Sequence, residues 1–284
     1  MTQQTLLDTG SAHPTFLRRH PVAIFFVLTY AVAWAFWVPL VILQDRAAPA
    51  LDLVLKILGS ATPSVLAVLL VARLQGRGEV RRLLRRLLMG RVNIGWYAAI
   101  VALTALPVLA VWVSTLLGAP TPVVAATVPG VLSVFLFSIF PGSATGEELG
   151  WRGFALPRLQ ARRSALTASL IVGAVWGTYH FPLFLLGSPV RPFALFLPFA
   201  LSCVIMSIFY TWMYNGTGGS LLLAVLLHAA TNLPLTIVMG PLQERVLASY
   251  WIYDAILALT AAALIARTGA ATLSSKHPKQ TVTP

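Results

Sequence analysis

The chain is poor in what soluble proteins use most. Only eight of its 284 residues are Asp or Glu and charged residues make up 10%, against roughly 25% in an ordinary soluble domain. No polar stretch is long enough to build a separate globular domain, so a single bundle is expected. The one cysteine, Cys203, excludes an internal disulfide and a cysteine-based metal cluster; inside an apolar run, it reads as a small core or lipid-facing residue. The H-E-x-x-H zinc-protease motif is absent. No internal repeat stands out, and the Gly- and Pro-interrupted segments do not fall in matching halves, as an inverted-repeat transporter would require.

What is present is hydrocarbon. Hydrophobic residues make up 58% of the chain and mean hydropathy is +0.82, which identifies an all-α polytopic membrane protein. With about 20 apolar residues per crossing, the sequence offers eight candidate spans: Val22 to Leu43, Leu53 to Ala72, Ile94 to Leu117, Val128 to Leu149, Ala165 to Leu186, Phe193 to Tyr214, Ser220 to Met239 and Tyr250 to Ala266. The first is too long for the apolar core of a signal peptide and has no small-residue cleavage site at its end, so it is expected to be retained. The expected organisation is a short segment 1–21, one bundle over 22–267 and a polar tail over 268–284.

The basic residues alternate between the two sides of this arrangement. Arg18 and Arg19, seven arginines from Arg73 to Arg91, then Arg158, Arg162 and Arg163, and finally Arg267, Lys276 and Lys279 fall on one side. The other side has Arg46 beside Asp45 and Asp52, Arg191, and Arg245 beside Glu244. By the positive-inside rule both termini are cytoplasmic and the protein sits in the plasma membrane. The net charge of +12 is accounted for in this way, and nucleic acid is not expected as a partner. Seventeen arginines against three lysines suggest a high-GC bacterial source. Between Gly78 and Gly90, apolar and basic residues alternate at helical spacing, which predicts an interfacial helix on the inner leaflet; the Arg73 to Arg91 stretch would then lie among anionic head groups.

Charges inside such spans are costly and usually functional. The fourth carries T-G-E-E-L-G-W-R, from Thr145 to Arg152. On a helix, Glu148 and Arg152 are four apart and can form an ion pair, whereas Glu147 points about 100° away. One carboxylate is then neutralised and the other left for chemistry. His180 in the fifth span has Trp176 one turn earlier; His228 in the seventh has Asn232 one turn later. Pro182 and Pro234 follow closely, and each frees a backbone carbonyl, which at membrane depth calls for a protein-covered or wet cavity. Lys56 and Asp254 are read as structural, near span ends.

At ~1.5 Å rise per residue, His228 lies roughly 14 Å from the start of its span, Glu147 roughly 16 Å from Arg158, and His180 about 22 Å from Ala165. For the three to meet, the fifth span must tilt or start late.

Together, E-E-x-x-x-R at Glu147, Glu148 and Arg152, aromatic-x-x-x-H at Trp176 and His180, and H-x-x-x-N at His228 and Asn232 resemble the CPBP family of intramembrane proteases. These are the CAAX proteases and bacteriocin-processing enzymes, also called the Abi family. The likeness runs from about Val128 to Met239, with Trp176 standing where Phe is common. It implies that Glu147 is the catalytic glutamate, with Glu148 and Arg152 completing its motif. His180 would help hold the nucleophilic water, and His228 with Asn232 would stabilise the oxyanion. The implied reaction is hydrolysis of a membrane-tethered peptide or protein. Zinc stays open: Glu147, His180 and His228 are a zinc-like donor set, although a glutamate–water mechanism without metal is preferred. A non-catalytic binding or immunity protein and a proton-coupled transporter are the alternatives from other classes.

Overall fold

The computed structural model describes residues 16–119, 126–186, 193–239 and 246–274. Arg191, Glu244, Arg245, Lys276 and Lys279, used in the charge pattern, lie outside these, as do residues 1–15 of the N-terminal segment and 275–284 of the tail. Among the described residues the architecture is helical, with no strand.

The principal helices are α1 (Pro21–Leu43), α2 (Pro49–Gln75), α3 (Arg77–Arg85), α4 (Gly95–Leu116), α5 (Val128–Ile139), α6 (Ser143–Glu148), α7 (Ala165–Tyr179), α8 (Phe196–Gly216), α9 (Leu221–Pro234) and α10 (Val246–Thr268). After α6 the chain continues through a π-helical stretch, Leu149–Ala155, into Leu156–Gln160. Prolines open α1 and α2, where the missing N–H has no intrahelical partner to lose. Ser164 and Ser220 cap α7 and α9, their hydroxyls accepting from Thr167 and Leu223 N–H.

All eight candidate spans are helical, but they are not equal. Among the described residues six helices are long and apolar enough to cross a membrane, the fourth counted as one unit from Val128 to Gln160. The fifth and seventh are shorter than expected. The fifth stops at Tyr179 after 15 residues, about 22 Å of helix against a hydrocarbon core of about 30 Å. The seventh is α-helical for 14 residues. His180 caps the end of the first of these short helices and His228 lies within the second.

Small residues set how closely the helices approach. A Cβ at Gly146 would stand 2.7 Å from the Ser60 carbonyl oxygen, and one at Gly150 would stand 2.6 Å from Pro63 Cβ. The G-x-x-x-G within the glutamate motif is thus the face on which α2 lies, the spacing that lets membrane helices touch backbone to backbone. Helix α7 meets α8 in the same way, with Gly173 against Val204 and Gly177 against Ala200. The first turn of α7 is tied down from outside, its Ala165 and Leu166 N–H groups donating to the Ala271 and Ala270 carbonyls beyond α10.

The predicted interfacial helix is α3, followed by a turn over Arg86–Leu88. Leu83 is buried, while Arg81, Arg82, Arg85, Leu84 and Leu88 are exposed. Lys56 pairs with Asp52 at 2.8 Å, both half-exposed, and Cys203 is buried. Asp254 has a structural partner on another helix. It is 3% exposed and accepts from the Ser202 hydroxyl, so it is held by α8.

Candidate functional site

The polar residues that the sequence singles out converge from three stretches of chain. The approach closes because the helix carrying Glu147 runs on to Gln160, two residues past the reference point used for depth. Measured from there Glu147 is about 20 Å deep, against about 22 Å for His180.

Glu147 and Glu148 are both fully buried but face different neighbours. Glu147 Oε2 accepts from two indoles, Trp151 Nε1 at 3.2 Å and Trp176 Nε1. Its Oε1 faces His180 Nε2 at 3.7 Å, too far for a hydrogen bond, and has no hydrogen-bond partner among the described residues. Glu148 Oε1 accepts from Arg152 Nη1 at 3.0 Å and from His228 Nδ1 at 2.8 Å. The neighbouring carboxylates differ in their partners: Glu148 is paired with a cation, whereas Glu147 is held by neutral N–H groups, and each keeps one oxygen without a partner among the described residues.

Arg152 is buried with its partner and needs several contacts to be stable there. Nη2 donates to Ser207 at 3.2 Å. The guanidinium lies 3.9 Å from the Tyr210 ring centre and 4.7 Å from that of Trp176, distances at which aromatic faces stabilise a cation. The π-helical stretch begins just after Glu148, and such widened turns are frequent at functional sites. Both Trp151 and Arg152, its third and fourth residues, reach back four positions to the glutamates.

The two histidines are oriented through their Nδ1 atoms. His180 Nδ1 lies 2.8 Å from the Trp176 carbonyl; a carbonyl only accepts, so Nδ1 carries the proton and Nε2 is turned to Glu147. His228 Nδ1 donates to Glu148, and its Nε2 is 3.2 Å from Ser143 Oγ. Asn232 Nδ2 donates to the same Ser143 oxygen at 3.2 Å. Trp176 stands between the imidazoles, its ring centre 6.3 Å from that of His180 and 5.5 Å from that of His228.

Of the seven buried side-chain atoms without a partner among the described residues, Glu147 Oε1, Glu148 Oε2 and Arg152 Nε belong to this motif. Unpaired polar atoms are rare in protein interiors, and three at one place mark a site built for polar ligands. Metal ligation fits less well. Among the described residues no three His, Cys, Asp or Glu side chains form a group that could hold a metal ion. Of the expected trio, His228 has one nitrogen on Glu148 and the other on Ser143, away from the Glu147–His180 pair. No chemical step is therefore routed through zinc.

Three groups went unread in the sequence. Trp151 belongs to the motif's own spacing, but nothing in its type marks it as a carboxylate donor. Ser207 and Tyr210 sit in a uniformly apolar span. Ser143, four residues before Glu147, had the periodicity to be noticed and is an ordinary helix-start residue otherwise.

Comparison with known proteins finds similarity over this part of the chain. Residues 128–234 match the family model described as type II CAAX prenyl endopeptidase, Rce1-like. The chain is also 39% identical over 98 residues to CAAX prenyl protease 2 of Methanococcus maripaludis. That alignment covers 32% of this chain and spans 36% of the length of the relative. Over the segment 128–234, which holds the two glutamates, the two histidines and the asparagine, the chain is similar to the Rce1-like CAAX prenyl endopeptidases.

Proposed function

We propose that this multi-pass membrane protein is an intramembrane endopeptidase that hydrolyses a peptide bond of a membrane-tethered peptide or protein. One observation carries the reading: a fully buried carboxylate oxygen, Glu147 Oε1, is unpaired and faces an imidazole nitrogen 3.7 Å away.

A water molecule taken up between Glu147 and His180 would meet two acceptors, the pattern needed for general-base activation. Its oxygen attacks the carbonyl carbon as Glu147 takes its proton, and a C–O bond forms. Asn232 stabilises the oxyanion as an N–H donor, and His228 does so from Nε2 when both ring nitrogens carry protons, since its Nδ1–H is already on Glu148. The intermediate collapses with rupture of the C–N bond, and the proton held by Glu147 passes to the leaving amine. Glu148 and Arg152 hold His228 and the glutamate helix in place.

The relative's name points to a C-terminal prenylated peptide as the first substrate class to try. The basic loops support an orientation with both termini cytoplasmic, and the arginine-rich composition supports a bacterial source, whose plasma membrane would be the location. Contact of Arg81, Arg82 and Arg85 with anionic lipid is the natural use of an exposed basic face beside exposed Leu84 and Leu88.

The test is cleavage of a membrane-tethered peptide by the purified protein in liposomes. Glu147→Ala is expected to abolish cleavage with unchanged thermal unfolding; full activity in that variant overturns the reading. Activity that survives exhaustive chelation, with no metal copurifying, excludes the zinc alternative.

A further inference from the structure

We propose that Ser143 is a positioning residue for His228 and Asn232. The inference rests on the oxyanion role proposed above.

Three observations carry it. The Ser143 hydroxyl is 3.2 Å from both His228 Nε2 and Asn232 Nδ2. It is the one side-chain partner described for the Asn232 amide, and it engages the imidazole nitrogen that Glu148 leaves free. It also stands on an anchored piece of backbone. Gly142 N–H donates to the Phe137 carbonyl at 2.7 Å, and a Cβ on Gly142 would be 2.4 Å from that oxygen. The chain entering α6 is thus pressed against the last turn of α5, and Ser143 Oγ has little room to drift.

The chemistry suits a hydroxyl. One O–H donor and two lone pairs let Ser143 accept from the Asn232 amide while complementing His228 Nε2 whether that nitrogen is bare or protonated. No apolar side chain does either. Ser143 lies on the helix that carries Glu147 and Glu148, while His228 and Asn232 lie on α9. The hydroxyl therefore sets the proposed oxyanion donors in register with the proposed base. Without it, Asn232 loses its only described tether and His228 keeps Glu148 alone.

The experiment uses the full chain in phosphatidylcholine–phosphatidylglycerol vesicles with a prenylated C-terminal peptide as probe. Ser143→Ala is expected to lower kcat about 10- to 100-fold, the scale of a misplaced catalytic group, with KM changed less than about twofold. Ser143→Thr, which keeps the hydroxyl, should recover most of the rate. Since Ser143 acts through Asn232, adding Ser143→Ala to Asn232→Ala should cost less than about threefold more.

Wild-type activity in Ser143→Ala overturns the proposal. So does an equal loss in both backgrounds, or a threonine variant as impaired as alanine. A second measurement needs no turnover: with ¹⁵N-labelled histidine, the His228 ring signals, identified by their loss in His228→Gln, should shift in Ser143→Ala, and unchanged signals overturn the proposal. If Glu147→Gln keeps full activity, the protease mechanism fails; if only the Ser143 results fail, that mechanism stands.

Discussion

The two halves of the fourth membrane segment are a controlled comparison within one helix-length of chain. From Val128 to Phe140 it is lipid-like: Leu132, Leu136 and Phe140 are 52%, 59% and 72% exposed. From Glu147 to Pro157 every residue is buried, and the same stretch contains two carboxylates, a guanidinium and a π-helical turn. An apolar residue facing lipid needs no particular neighbour. A charge in the same membrane needs a specific one, so the second half is enclosed by α2, α7, α8 and α9 while the first is not. Function is concentrated where partners are obligatory.

The sharpest way to break the comparison is chemical. Glu147→Gln keeps size and hydrogen bonding to the two indoles but removes the base, and cleavage should fall about 10²- to 10⁴-fold with little change in thermal unfolding. Glu148→Gln should lose stability as well, because Arg152 and His228 both rely on that carboxylate. Loss of cleavage in Glu148→Gln alone, with stability intact, would exchange the two roles.

Arg152→Leu comes next. It strands a buried Glu148, and breaking one side of a buried pair costs about 3–5 kcal/mol, readable as a lowered unfolding temperature in detergent. Gly150→Leu drives a side chain into Pro63 and should cost about 1–3 kcal/mol. At the other extreme, Leu136→Ala in the lipid-facing half should change stability by less than about 0.5 kcal/mol and leave cleavage at wild-type level. A large effect there would mean that the exposed face is a docking surface and that the contrast is false.

Much of the site was legible because hydrocarbon makes polar residues conspicuous. Glu147, Glu148, Arg152, His180, His228 and Asn232 stood out from an apolar background, and their spacing placed the ion pair and the direction of each glutamate on a simple helix. Asp254 shows the limit of that logic. It was equally conspicuous, yet its partner, the Ser202 hydroxyl on α8, depends on packing between helices that hydropathy does not encode. Ser143 shows the opposite limit. A small hydroxyl residue at a helix start is common, and only its distance to two groups on another helix distinguishes it.

The sequence alone determined the membrane class, eight apolar helical segments, and which side chains had to find partners inside them, since the cost of an unpaired charge in hydrocarbon is a local property of composition. Only the tertiary structure decided that the fifth and seventh helices stop short, and that a π-helical turn follows the glutamates. It also decided that Glu147 is held by two indoles while Glu148 takes both Arg152 and His228. Those outcomes depend on how closely the backbones approach at Gly146, Gly150, Gly173 and Gly177, and on contacts between residues distant in the chain, which helical periodicity does not specify.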